Sequence, residues 1–257
     1  MITYLKLQSI ILCITLLVPS IFYPVDHHNH VEENRVVISV VQEPKFNHEK
    51  PIYKLDTVQY FNPPYKVSTS YSKSKFYQQL LQVEMSDDVR TNIVNIAKSQ
   101  LGYIEGNHPS MLSGELQQNG NYTEYGYWYG MQDEWCAIFV SWCTSLAGKT
   151  NVSKHALCSN GLKKFINNET AHSRQDIVDG KYIPQPGDII YFCSSSAAAE
   201  GKLTTHVGIV SDYKDGYIYT IEGNTSPIDK SINCGGIVEE KKYSIKNTWI
   251  AYVCESI

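Results

Sequence analysis

The stretch "HVGIVSDYKDGYIYTIEGNT", His206 to Thr225, decides the architecture. Lys214-Asp215-Gly216 reads as a tight turn between two strand-like runs, each rich in β-branched and aromatic residues. With the turn there, the end of the second strand lies beside the start of the first. Glu222 and Asn224 then stand near His206, and their i, i+2 spacing predicts that both share one face of the sheet. Working outward, "PQPGDIIYF" (Pro184–Phe192) is a turn feeding a short strand, and "GGIVEEKKYSI" (Gly235–Ile245) and "TWIAYVC" (Thr248–Cys254) supply two more. Upstream the period changes from two to about 3.6. "SDDVRTNIVNIAKSQLG" (Ser86–Gly102) predicts an amphipathic helix with Ser86 as N-cap and Val89, Ile93, Ile96, Ala97 and Leu101 on one stripe. "CAIFVSWCTSLAG" (Cys136–Gly148) is apolar nearly all round, the pattern of a buried central helix. "HALCSNGLKKFINNE" (His155–Glu169) predicts a third. The aromatic stretch "NYTEYGYWYGMQDEW" (Asn121–Trp135) reads as irregular, broken by Gly126 and Gly130. Helices first and strands second predict an α+β fold with N-terminal helices packed on an antiparallel sheet.

The 257 residues, 42% of them apolar and 19% charged, suit one good-sized domain with a tail. A net charge of −4 gives no basic footprint, which argues against nucleic acid as a partner. The start, "MITYLKLQSIILCITLLVPSIFYPVD", resembles an export signal over residues 1–24, with an uncleaved membrane anchor as the alternative. Residues 25–85, rich in Pro, Ser, Lys and Asn, read as a poorly structured spacer, and the domain is expected over 86–257. The protein is expected to be secreted or surface-associated, and a monomer. Six cysteines remain beyond the apolar leader, at positions 136, 143, 158, 193, 234 and 254, with no CxxC pair. Neither they nor the tail histidines His27, His28 and His30 are read as a metal site, and no cofactor is expected.

Two of those cysteines lie on the central helix. Cys136 falls where loop becomes helix, so its sulfur meets the positive end of the helix dipole and unpaired N–H groups, which favour a thiolate. Cys143, two turns deeper in an apolar setting, reads as a core residue. Of eight histidines, His206 alone opens an apolar strand. Glu222 and Asn224 beside it are candidates for fixing the imidazole tautomer, the third role in a nucleophile–base–orienter set. Trp135, Tyr125 and Trp128 are candidate substrate-contacting residues, with core packing an equally good reading of Trp135.

In order and spacing, "WCAIFVSWC", "PQPGDIIYF", "HVGIVSDY" and "IEGNTS" resemble the successive signatures of CHAP domains, the cysteine- and histidine-dependent amidohydrolases and peptidases. "IVNIAKSQLGYIEG" and "YTEYGYWYG" resemble the lead-in of a bacterial branch. The resemblance implies a papain-like fold and cleavage of a peptide or amide bond, usually in the peptidoglycan of a bacterial wall. By position it makes Cys136 the nucleophile, His206 the base, Glu222 its orienting residue and Asn224 a further polar site residue. The stretch before Cys136 lacks the alternating Asp pattern of a calcium loop. Alternatives are an amidase acting on a small peptide or polyamine conjugate, and a non-catalytic wall-binding domain.

Overall fold

The computed structural model describes residues 53–54, 67–116, 119–148, 150–229 and 236–257. The export-signal or anchor reading of 1–24, the tail histidines and Cys234 lie outside them. The helices described are α1 (Lys75–Leu81), α2 (Val89–Lys98), α3 (Glu124–Tyr129), α4 (Cys136–Ala147), α5 (Cys158–Asn167), α6 (Arg174–Val178) and α7 (Ser195–Ala199). A short pair, β1 (Tyr53–Lys54) with β2 (Glu84–Met85), stands apart from the main sheet. That sheet comprises β3 (Ala171–Ser173), β4 (Ile189–Phe192), β5 (His206–Lys214), β6 (Tyr217–Thr225), β7 (Ile237–Ser244) and β8 (Ile250–Cys254). Its order is β3-β8-β4-β5-β6-β7, and every neighbouring pair is antiparallel. The fold is α+β, as the patterning predicts.

The hairpin at the heart of the sheet forms as read. Lys214 pairs with Tyr217, and Asp215 (φ 53°) and Gly216 (φ 76°) take the left-handed conformations that a two-residue turn of this hand requires. One face of the sheet, with Ile189, Tyr191, Val207, Ile209, Ile221 and Val238, joins the main core. The other carries a smaller cluster built on Ile190, Phe192, Val210, Ile218 and Val253. Helix α4 packs against α2, β5 and β6, and eleven of its twelve residues are buried, Ser145 being half-buried. Its near-continuous apolar surface thus has partners all round.

Two turns tie the layers together. In the Pro-Gly-Asp turn, Gly187 sits at φ +88°, and a Cβ there would lie 2.8 Å from the Arg90 Cα. The turn therefore needs glycine on both counts. The next residue, Asp188, is fully buried. It accepts hydrogen bonds from the Tyr182 hydroxyl (2.7 Å), the Gln185 N–H (2.8 Å) and the Arg90 guanidinium, which bolts α2 to the head of β4.

Three boundaries differ from the sequence reading. Asp88, not Ser86, caps α2, its carboxylate accepting from the Arg90 N–H at 3.1 Å, while Ser86 Oγ accepts from the Asp88 N–H. The aromatic stretch contains a helix, α3. Gly126 sits inside it where a Cβ would meet Gln132 and the Met131 carbonyl, and Gly130 (φ 89°) ends it in the left-handed region. Third, ordered structure begins well before residue 86. Tyr71, Phe76, Leu80, Val83 and Met85 all join the main core. Ser68 is fastened to the buried Glu124 through its N–H (3.1 Å) and its hydroxyl. The polar composition of 67–85 conceals a short helix, capped by Ser74, whose Phe76 and Leu80 point inward. Tertiary burial, not local propensity, holds it.

Candidate active site

Cys136 is the first residue of α4 and 7% exposed. The residue before it is anchored: the Trp135 indole N–H donates to Glu105 Oε2 at 2.9 Å, and the ring sits edge-on to Tyr103 and Phe139. Glu105, itself buried, also accepts from the Gly120 N–H at 3.0 Å. The nucleophile candidate thus emerges from a fixed indole onto the N-terminus of a helix buried along nearly its whole length.

His206 opens β5 and is half-buried. Its Nε2 bonds Glu222 Oε2 at 3.0 Å, which leaves Nδ1 as the nitrogen that can face the thiol. Glu222 is 1% exposed. Its other oxygen accepts from Thr220 Oγ1 at 2.6 Å, and the Tyr243 hydroxyl approaches Oε2 at 3.4 Å. Room for this carboxylate comes from Gly208 on the neighbouring strand, where a Cβ would lie 2.7 Å from Glu222 Cγ. A second glycine sets the spacing between helix and sheet. At Gly223 a Cβ would lie 2.7 Å from Phe139 Cβ and 2.8 Å from the Trp135 ring, so α4 rests directly on the β6 backbone.

The electrostatics favour an ion pair. The Cys136 thiol is held well below its usual range, first by a hydrogen bond from Cys158 and then by His206 and the Ala137 N–H, against the opposing effect of burial. Burial works against a charge on His206, but its bonds to Cys136 and Glu222 outweigh that and push it up to about 10. Cys143, fully buried, is pushed up by desolvation, as a core thiol should be.

Cys136, His206 and Glu222 are therefore brought together. The other candidates fall elsewhere. Asn224 is not paired with the imidazole. The ladder shifts register between Glu222 and Thr225, and Asn224 takes φ 54°, so the two-residue alternation fails at that point. Its amide instead donates to Glu134 Oε2, in the loop entering α4. Tyr125 and Trp135 are fully buried. The Tyr125 hydroxyl donates to Gln100 at 3.1 Å, and both rings are core members, which corrects their reading as substrate contacts. Trp128 is half-buried, with Lys154 Nζ 4.3 Å from its ring centroid.

The sequence reading passed over Cys158, whose Sγ lies 3.5 Å from that of Cys136. It also missed Glu134, Glu105 and a pocket lined by residues that include Tyr129, Met131, Lys154, His155, Leu157 and Lys164. The two lysines are the only charged side chains lining that pocket. The helix read from the sequence begins at His155; in the structure Cys158 stands first in α5, as Cys136 does in α4. Among the described residues, no group of three or more His, Cys, Asp or Glu side chains could hold a metal ion.

A thiol on a helix N-terminus, an imidazole at a strand start and a buried carboxylate behind it define a candidate thiol–imidazole site in an α+β fold. The family model of the CHAP domain matches residues 126–224, a span containing Cys136, His206 and Glu222. The resemblance read from the sequence holds over that span, and it implies a hydrolase, acting as an amidase or peptidase, generally on peptidoglycan. No curated protein and no solved structure matches the chain.

Proposed function

We propose that the protein is a cysteine-dependent peptidoglycan hydrolase that cuts a peptide or amide bond of the wall stem peptide through a thioester. The observation that carries this reading is the Cys136–His206–Glu222 relay, with Glu222 on Nε2 at 3.0 Å. In this reading the Cys136 thiolate attacks the scissile carbonyl. The charge leaving sulfur collects on the carbonyl oxygen, beside the α4 N-terminus, where the Cys136 N–H is a candidate donor. His206 in its imidazolium form gives its Nδ1 proton to the departing amine, while Glu222 on Nε2 holds the ring in place and steadies its charge. Neutral His206 then takes a proton from water, and the resulting hydroxide releases the acyl group and restores the thiolate.

A helix-borne cysteine packed on the antiparallel strand that carries the histidine also supports a papain-like reading of the fold. The pocket bearing Lys154 and Lys164, which reaches the residue before Cys158, suits a substrate bearing carboxylates, as wall stem peptides do. The N-terminal apolar segment of the sequence supports export as part of this reading. The test is release of new amino groups from purified cell walls by the full chain, with products identified by mass. Cys136→Ala should abolish release, and retained cleavage would overturn the reading. Turnover of small amides with no attack on walls would favour the small-amide alternative.

A further inference from the structure

We propose that Cys136 and Cys158 form a reversible dithiol–disulfide couple, making Cys158 a modification site through which a low-molecular-weight disulfide switches the proposed nucleophile off. The gating of activity rests on the reading of Cys136 as nucleophile; the thiol chemistry does not.

The two sulfurs are 3.5 Å apart. A disulfide bond is about 2.05 Å long, so the pair must close by roughly 1.5 Å, within the reach of side-chain rotation. They come from different elements, the first residues of α4 and α5, so the bond closes a real loop between helices. Their states are complementary. Cys136 is biased toward thiolate, and Cys158 is pushed up first by donating its hydrogen bond to Cys136 and then by burial. The thiolate is the attacking species in thiol–disulfide exchange, and a neighbouring thiol is what resolves the mixed disulfide it forms.

Among the described cysteines, Cys158 is the most accessible. Cys158 is half-buried, and Leu157 next to it is 58% exposed at the rim of the lysine-bearing pocket. Cys143 and Cys254 are fully buried, and desolvation raises both thiols. Cys193 is buried with its Sγ on the Lys202 carbonyl.

The exchange balances. The Cys136 thiolate attacks one sulfur of the small disulfide, forming a mixed disulfide and expelling one thiolate, which takes up the His206 proton. Cys158 then gives up its proton and attacks Cys136 Sγ, expelling the second thiolate, which that proton neutralises. The protein pair is oxidised by two electrons, and the reagent is reduced to two thiols. A dithiol reductant runs the steps backward. While the bond exists, Cys136 carries no lone thiolate to attack a carbonyl.

The experiment uses the full chain, reduced, freed of reductant and then equilibrated with oxidised glutathione. The expected result is loss of two alkylatable thiols, recovery of a Cys136–Cys158 linked peptide, and wall hydrolysis that falls to background and returns with dithiothreitol. Cys158→Ser should instead accumulate a glutathione adduct on Cys136 and form no cross-link. A lasting adduct on Cys136 in the wild type, or a cross-link from Cys136 to another cysteine, would overturn the proposal. If Cys158→Ser fails to fold, the wild-type peptide map decides alone. If walls resist the reduced protein, the hydrolase reading fails while the map still decides the couple.

Discussion

Replacing Glu222 by Gln keeps the shape of the group behind His206 and removes its charge. In the wild type, Oε1 accepts from Thr220 Oγ1 at 2.6 Å and Oε2 takes the His206 Nε2 bond at 3.0 Å. A Gln amide can turn its oxygen to only one of them. With oxygen toward the ring, a charge-assisted bond becomes neutral, a loss of about 1–2 kcal/mol when such bonds are worth about 1.5–3 and neutral ones about 0.5–1.5 kcal/mol. At about 1.4 kcal/mol per pKa unit, His206 should drop by about one unit or more from its wild-type value. With nitrogen toward the ring, Nε2 must accept and the ring proton moves to Nδ1, so the neutral ring no longer offers Nδ1 as a base. Proton delivery to the leaving amine needs the imidazolium, which is present below the His206 pKa and lost as pH rises through about 10. The variant should therefore lose the alkaline side of its activity profile about one to two units earlier, with kcat/KM down by about 10- to 100-fold. The assay is kcat/KM for muropeptide hydrolysis by the full chain between neutral and alkaline pH. An alkaline limb that stays where the wild type has it would refute the role given to Glu222.

Other outcomes follow from the packing. Gly208→Ala places a Cβ 2.7 Å from Glu222 Cγ. Activity should fall sharply, at a cost of about 1–3 kcal/mol in the denaturant midpoint, the usual range for overpacking. Asn224→Gly preserves the left-handed backbone and removes the amide that holds Glu134. The rate should drop by no more than about tenfold, the worth of one hydrogen bond, with the alkaline limb unmoved. A chain starting at Ser86 lacks Tyr71, Phe76, Leu80, Val83 and Met85 from the core. At about 1.5–3 kcal/mol per large buried side chain, the loss is on the order of 10 kcal/mol, comparable to the whole stability of a domain. Cooperative thermal unfolding, followed by circular dichroism, should disappear.

The sheet and the central helix were legible because their signals are local and periodic. His206 and Glu222 could be brought near each other from the Asp215–Gly216 turn, but the face they share depends on a bulge between Val210 and Asp212 that shifts the register by one residue. Asn224 could not be placed, because a bulge two residues beyond Glu222 breaks the alternation that sequence reasoning must assume. The 67–85 segment was misread for a different reason. Its order comes from partners such as Glu124 and Gln100, which lie far along the chain from Ser68 and Tyr71. Tyr125 and Trp135 look alike on paper as groove or core residues; only Gln100 and Glu105, which satisfy their polar atoms, decide for the core. Cys158 was hidden by its twenty-two-residue separation from Cys136, which no spacing motif covers.

Gly223 carries a consequence for how this site can vary. The helix that presents the thiol and the strand that positions the carboxylate meet where there is no side chain. The separation of sulfur and ring is thus governed by the thickness of a bare contact between backbone and aromatic rings. Exchanges at Phe139, remote from any bond being broken, would act as shims, widening or narrowing the gap by fractions of an ångström. Proton transfer over such a gap is steeply sensitive to distance. Variation along this seam should therefore change turnover and the melting curve together, because Phe139 is itself a fully buried core residue.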